Sequence, residues 1–279
     1  MRRQFLLSLA AGSAALSFAA PAFAQDMAPE RAPFDGLYVG GTVGFDAQAN
    51  DQRTVLFDRN LDGRFGDTVS TANPLVPNAF APGFCNGAAT STANLACRND
   101  KDNISWTARV GLDKQYGNIV VGVVGEGGKS YISDAQSAFS TTPAFYTFTR
   151  KIDYMGSVRL RAGYAANTTL FYATGGGVYA NLKHAFGTSN TANAFSSRGK
   201  DDAWGYAVGG GIEQKLGRNF SIGLEYLFHR YKDDDYRVRA SGGPAGGPFT
   251  RGNASGTDFR RNFDYFRWHS LRATAAFRF

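Results

Sequence analysis

From Gly36 onward, apolar and polar residues alternate with period two, and no stretch sustains a helical period. Ile104, Trp106, Ala108, Val110 and Leu112 alternate with Ser105, Thr107, Arg109, Gly111 and Asp113. Ile152, Tyr154, Gly156, Val158, Leu160 and Ala162 alternate with Asp153, Met155, Ser157, Arg159 and Arg161. Ile222, Leu224, Tyr226 and Phe228 alternate with Gly223, Glu225, Leu227 and His229. The pattern predicts eight strands, at about 36–47, 102–115, 117–132, 151–165, 168–183, 202–216, 219–232 and 263–279. Three connections are tight and rich in Gly or Asn: Gln115–Asn118, Ala165–Thr168 and Leu216–Asn219. The other four are long, at about 48–101, 133–150, 184–201 and 233–262. Short turns on one side and long loops on the other, joining strands of a dozen or more residues, fit a membrane-spanning barrel better than a soluble sandwich. Lipid offers no partner to an open strand edge, so the sheet must close. The predicted fold is all-β: an eight-stranded antiparallel transmembrane up-and-down β-barrel with short periplasmic turns and long extracellular loops.

Aromatic residues gather at both ends of these strands. Tyr38, Tyr116, Tyr164, Phe220 and Phe277 fall near the short turns. Tyr131, Tyr154, Trp204, Tyr206, Phe228, Tyr231 and Tyr265 fall near the long loops, and together they suggest two interfacial girdles. In the last strand Leu271, Ala273, Ala275, Phe277 and Phe279 share one face. A terminal aromatic preceded by alternating apolar residues resembles the assembly signal read by the barrel-assembly machinery, with Leu271, Phe277 and Phe279 as its marks.

Composition adds the destination. Met1–Ala24 has a basic start at Arg2 and Arg3, an apolar stretch from Phe5 to Ala20, and Ala22-Phe23-Ala24 as a cleavage site. Cutting between Ala24 and Gln25 leaves 255 of 279 residues, and losing the two arginines takes the net charge from +7 to +5. Residues 25–35 then form a periplasmic segment and 36–279 the barrel. Export places Cys85 and Cys97, two cysteines in one loop without a nearby histidine, where a disulfide persists. After the leader the unbroken apolar-plus-glycine runs, such as Ile119–Gly125 and the longer Ala203–Ile212, are too short for a membrane helix. Lys and Arg are interspersed with Asp and Glu, which argues against a nucleic-acid partner.

Phe34-Asp35-Gly36-Leu37-Tyr38-Val39-Gly40-Gly41 resembles the first-strand motif of the small outer-membrane β-barrel family of porin-like and opacity-like proteins, notably its alphaproteobacterial branch. Ile152–Arg159, Leu170–Gly176, and Gly223-Leu224-Glu225-Tyr226 with Asp233-Asp234-Asp235-Tyr236 are similar to its central hairpin and seventh strand. The resemblance covers essentially all of the exported chain except the first long loop. It implies an outer-membrane location in a Gram-negative bacterium, with loops at the cell surface, and it carries no catalytic motif. It also implies an OmpA-type barrel that, ending at Phe279, lacks the peptidoglycan-binding domain.

Eight strands leave an interior that side chains can fill. The inward phase holds Arg109, Arg159, Arg161 and Arg272 against Asp113, Glu126, Asp153, Glu213 and Glu225. These near-balanced charges predict a network that knits the lumen shut, with Glu225 beside Arg272 and Arg159 reaching across. The alternative is a narrow porin for small solutes. The three histidines do not make a catalytic set: His184 falls in a loop, His269 is in the lipid-facing phase, and His229 shares a face with Glu225 without a nucleophile. An enzyme is not expected.

Asp58-Arg59-Asn60-Leu61-Asp62-Gly63 matches the opening of a calcium loop, with the Arg64 carbonyl and Asp67 as further ligands. Its twelfth position is Val69 rather than Glu, so the competing reading is a string of Asx turns. No other cofactor is expected. Arg230, Lys232, Arg237, Arg239, Arg260 and Arg261 bracket the fourth loop and are candidate contacts to lipopolysaccharide phosphates beside the outer-membrane lipids. The leading function is a structural, surface-exposed anchor. The alternative, a surface binder of a host molecule, haem-like ligand or glycan, draws on loop length and on Phe139, Phe145, Tyr146 and Phe148.

Overall fold

The computed structural model describes residues 32–48 and 54–279. The leader, its cleavage site at Ala24 and Gln25, and most of the 25–35 segment lie outside the described residues.

Eight strands form a closed antiparallel ring: Gly36–Ala47, Asn103–Tyr116, Ile119–Ser130, Ala144–Ala166, Thr169–Thr188, Asp202–Lys215, Phe220–Lys232 and Tyr265–Arg278. Each pairs with its sequence neighbours in the ring, and the eighth pairs back on the first from Tyr38↔Arg278 to Ala47↔His269. There is no helix among the described residues. The short turns are as tight as expected. Gly117 and Asn167 take positive φ, 58° and 55°, which two-residue hairpins require and which Gly and Asn tolerate.

The ring is inverted relative to a water-soluble protein. Val43, Phe45, Val110, Leu112, Val158, Leu160, Phe171, Ile212, Leu224 and Leu271 stand on its outer face, each about half exposed or more. Charged side chains fill its interior. So continuous an apolar belt would be untenable in water and is expected where hydrocarbon surrounds the ring. Tyr116, Tyr164, Phe220 and Phe277 edge the belt at the short-turn end, and Tyr131, Tyr154, Trp204 and Tyr206 at the loop end. Tyr38 and Tyr231, expected in these girdles, instead point inward and are buried. Their parity explains this: Tyr38 shares a face with Thr42 and Asp46, and Tyr231 with Glu225 and His229. Gly111 makes room for Tyr38, since a Cβ there would lie 2.2 Å from the Tyr38 Cζ.

The long connections are folded. Ring strands four and five run to 23 and 20 residues, well past the expected 151–165 and 168–183. Strand four pairs above the ring with Ser133–Ser140, which in turn pairs with Gly83–Asn86. Val55–Asp58, Ala194–Arg198, Arg237–Ser241 and Thr257–Arg261 make a separate four-stranded sheet from the first, third and fourth loops. Phe57, Phe80, Tyr146, Phe148, Phe249 and Phe259 form its core with Val55, Val69 and Val238. Phe57 stacks on Phe80 at 4.3 Å between centroids, and Phe259 meets Phe57 edge-on at 5.1 Å. The four loops thus build one cap with a hydrophobic core of its own. Within it, Cys85 and Cys97 are disulfide-bonded.

Candidate functional site

The lumen concentrates the chemistry of the chain. At mid-height Arg109, Glu126, Arg159, Glu225 and Arg272 converge from ring strands two, three, four, seven and eight, all buried. Arg109 Nη2 donates to Glu126 Oε1 at 2.5 Å and to Glu225 Oε1 at 3.1 Å. Arg159 Nη2 lies 2.7 Å from Glu126 Oε1 and 3.4 Å from Glu225 Oε1, so it does reach across. Arg272 is the cross-strand neighbour of Glu225 and pairs with it, and its Nη2 lies 3.1 Å from Glu126 Oε2. Tyr172 Oη donates to Glu225 Oε2 at 3.0 Å. Gly44 leaves space for Arg272, whose Cγ would sit 2.6 Å from a Cβ there.

A second cluster lies nearer the short turns. Arg161 Nη2 donates to Glu213 Oε2 at 2.7 Å, and Arg278 Nη2 to Asp113 Oδ2 at 2.9 Å. Arg161 also donates to Tyr38 Oη at 3.1 Å. Phe34, wholly buried, closes this end, with its carbonyl accepting from Arg278 Nη1 at 2.7 Å. Above the central cluster Asp46 accepts from Ser105 at 3.1 Å, Ser130 at 2.5 Å and Ser270.

Next comes an apolar layer in which His229 and Tyr231 stack on Trp268 at 4.9 and 5.1 Å, among Phe266, Ile152 and Leu182. A void beside Glu126, His229, Tyr231 and Arg272 measures about 10 Å³, the scale of a single water. Over the apolar layer Arg150 bridges Asp134 and Asp233, both at 2.7 Å. His184 joins them through Asp233 at 3.0 Å, stacked on Tyr236 at 4.5 Å. Asp233 is buried, which raises a carboxyl pKa, but the His184 hydrogen bond and the Arg150 charge outweigh this and hold it well below the usual carboxylate range.

Eight of the nine expected lumen charges belong to the two clusters. Asp153 does not. The pairing of strands four and five shifts register between Asn181 and Leu182, leaving Asp153 as an extra residue between Ile152 and Tyr154. The bulge turns its carboxylate outward to Lys183 at 2.8 Å and Lys129 at 3.5 Å. Arg278 and Asp46 join the lumen without having been expected there: Arg278 shares parity with the expected Arg272, and Asp46 lies on the inward face of the first strand with Thr42 and Gly44. With them, arginines 109, 159, 161, 272 and 278 face carboxylates 46, 113, 126, 213 and 225, five against five.

The His229 Nδ1 has no hydrogen-bond partner, and the ring packs on Trp268. His269 faces outward as expected, against Tyr226 Oη at 2.5 Å.

The calcium-like segment turns its side chains onto its own backbone. Asp58 accepts from the Asp62 and Gly63 amides at 3.2 and 2.8 Å, Asp62 from the Arg64 amide at 2.8 Å, and Asp67 from the Arg59 amide at 2.8 Å. The Asp62–Arg64 contact is an Asx turn, and the others tie Asp58 and Asp67 to more distant amides of the same loop. No group of three or more His, Cys, Asp or Glu placed to hold a metal occurs among the described residues.

The basic set of the fourth loop is divided. Arg237, Arg239, Arg260 and Arg261 belong to the cap sheet, where Asp235, Asp258, Asp264 and Asp134 engage them, and Arg261 is buried. Arg237, Arg239 and Arg260 keep part of their side chains at the surface while paired. Arg230 and Lys232 remain on the ring: Arg230 lies 3.8 Å from the Tyr265 ring centroid, and Lys232 pairs with Asp234 at 2.8 Å. Of the loop aromatics expected to offer a binding surface, Phe139, Tyr146 and Phe148 are buried within the cap.

Two relatives are outer-membrane proteins of alphaproteobacteria. The chain is 26% identical over 232 residues to the 31 kDa outer-membrane immunogenic protein of Brucella melitensis biotype 1, covering 79% of this chain and 85% of that protein. It is 30% identical over 182 residues to the 22 kDa outer membrane protein of Rhizobium leguminosarum bv. viciae, covering 64% of this chain and 75% of that one. No family model matches. Among solved structures, Ail of Yersinia pestis, in complex with the heparin analogue sucrose octasulfate, is 11% identical with a TM-score of 0.33 over 88% of this chain and 99% of that one. The Escherichia coli outer membrane protease OmpT is 10% identical with a TM-score of 0.41, over 88% and 97%. Likenesses this slight do not bear on activity.

Proposed function

The chain belongs to the small outer-membrane β-barrel family that includes the 22 kDa protein of Rhizobium leguminosarum, and on that basis we propose that it is a closed structural anchor displaying a folded cap at the cell surface. In this reading the eight-stranded ring spans the outer membrane, with its three short turns in the periplasm and its cap outside. It catalyses nothing, and it neither conducts solutes nor needs a cofactor.

The observation that carries the proposal is the unbroken sequence of layers through the ring. Phe34, two ion-pair clusters, the Asp46–serine layer, the Trp268 layer and the Arg150 cluster follow one another from the short turns to the cap core. A conduit would need hydrated charges, whereas these are buried and neutralised by one another. The Brucella relative is named an immunogenic protein, which fits a cap displayed at the cell surface.

Orientation is tested by labelling intact cells with a membrane-impermeant maleimide. Leu75→Cys and Leu95→Cys, at highly exposed cap positions, should react. Arg218→Cys, in a short turn, should react only after the outer membrane is permeabilised. Labelling of Arg218→Cys in sealed cells would reverse the proposed topology.

A further inference from the structure

One charged surface is not absorbed by the anchor. Arg98, Lys101, Lys129, Lys151 and Lys183 line an open groove of about 560 Å³ on the outside of the molecule, at the loop end of ring strands three, four and five. Its acidic lining is Asp153 and Asp100, and Asp100 is turned to the Ala135 amide at 2.7 Å and the Asn86 side chain at 3.3 Å.

Lys151 and Lys183 are direct cross-strand neighbours, an arrangement that repels and weakens a sheet unless something anionic sits between them. The bulge that expels Asp153 from the lumen supplies a single carboxylate, shared by Lys183 at 2.8 Å and Lys129 at 3.5 Å. Two lysines share that one carboxylate, and Lys151 lines the same groove beside Lys183.

The groove also sits at a defined depth. Tyr131 lines it, with the Lys129 ammonium 5.6 Å from the ring centroid. Tyr154, Tyr179 and Trp204 form a continuous aromatic row on the adjoining strands, at 6.1 and 4.9 Å. Aromatic rows of this kind mark headgroup level, and lysines just beyond them extend toward lipid phosphates.

We propose that this groove binds the phosphate groups of an outer-leaflet glycolipid, with Lys129, Lys151 and Lys183 as its principal ligands and Asp153 as an internal competitor. The proposal rests on the outward orientation of the cap. It also moves lipid recognition away from the fourth-loop arginines to the bulged side of the ring.

The test uses the full chain refolded in phosphatidylcholine bicelles and titrated with bis-phosphorylated lipid A, dephosphorylated lipid A and inorganic phosphate. Binding is read by intrinsic fluorescence and by the ³¹P signals of the lipid. The phosphorylated lipid should bind at least tenfold more tightly than the dephosphorylated form, and the Lys129→Gln/Lys151→Gln/Lys183→Gln variant should lose that difference.

Asp153→Asn should shift the affinity the other way, tightening binding severalfold, which a purely structural carboxylate would not do. Should the triple variant fail to fold, Lys183→Gln and Asp153→Asn alone carry the same opposed expectations. Equal binding of the two lipid A forms, or an unchanged affinity in the lysine variants, would overturn the proposal. Displacement of the lipid by an equal concentration of inorganic phosphate would assign the groove to soluble anions and overturn it too. Bicelle binding does not depend on orientation in the cell, so its failure is distinguishable from failure of the cysteine-labelling test.

Discussion

Glu225 is the residue on which the central cluster turns. It meets Arg109, Arg159 and Arg272 and accepts from Tyr172, so Glu225→Ala leaves three buried guanidinium groups facing Glu126 alone. Stranding buried charge in this way should cost about 3–5 kcal/mol, read as a lower urea midpoint for the refolded protein. In a hydrated lumen the same substitution would cost under about 1 kcal/mol, because water would screen the arginines. Most of this cluster was legible in the sequence, since strand parity alone selects Arg109, Arg159, Glu225 and Arg272. Parity would also have placed Tyr231 inward with Glu225 and recovered Arg278. Asp153 could not be placed by counting, because a one-residue bulge reverses the phase and leaves no signature in the alternation of side chains.

Among elements, the cap departs most from the sequence reading. Ser133–Ser140 is buried on both faces except at its first residue, so the period-two signal that exposed the ring strands is absent there. Phe145, Tyr146 and Phe148 read as loop aromatics free to bind a ligand, whereas strand four continues through them and buries Tyr146 and Phe148. Phe259→Ala should remove about 3–5 kcal/mol from the cap core and make the cap susceptible to limited proteolysis while the ring keeps its heat-modifiable gel migration. Acid should act on the same element. Asp233 is held below its usual range in the folded cap, so its contribution to stability is complete above the unfolded carboxylate value near pH 3.9 and is lost as pH falls from there toward the folded value. Proteolysis of the cap followed from pH 7 to pH 2.5 should accelerate below about pH 4, and Asp233→Asn should abolish most of that dependence.

For the whole molecule, the inverted distribution of apolar and charged residues and the parity of loop lengths were both visible in the sequence. They fixed the eight-stranded architecture to within a few residues at most ring-strand ends. How the loops meet could not be read, because the cap sheet joins segments from three loops far apart in the chain. Phe279 faces outward and packs on Phe277 at 5.2 Å, beside the seam between the first and eighth strands. Deleting it should reduce the amount of heat-modifiable barrel recovered from outer membranes, and undiminished recovery would remove the terminal aromatic from assembly. Closure of the lumen is the property that separates an anchor from a pore, and single-channel recording in planar bilayers measures it directly. The unmodified protein should insert without steady ohmic current, while Glu225→Ala, inserted to the same level, should show discrete conductance steps as its charge layer opens. Steady conductance in the unmodified protein would contradict a lumen sealed by paired charges.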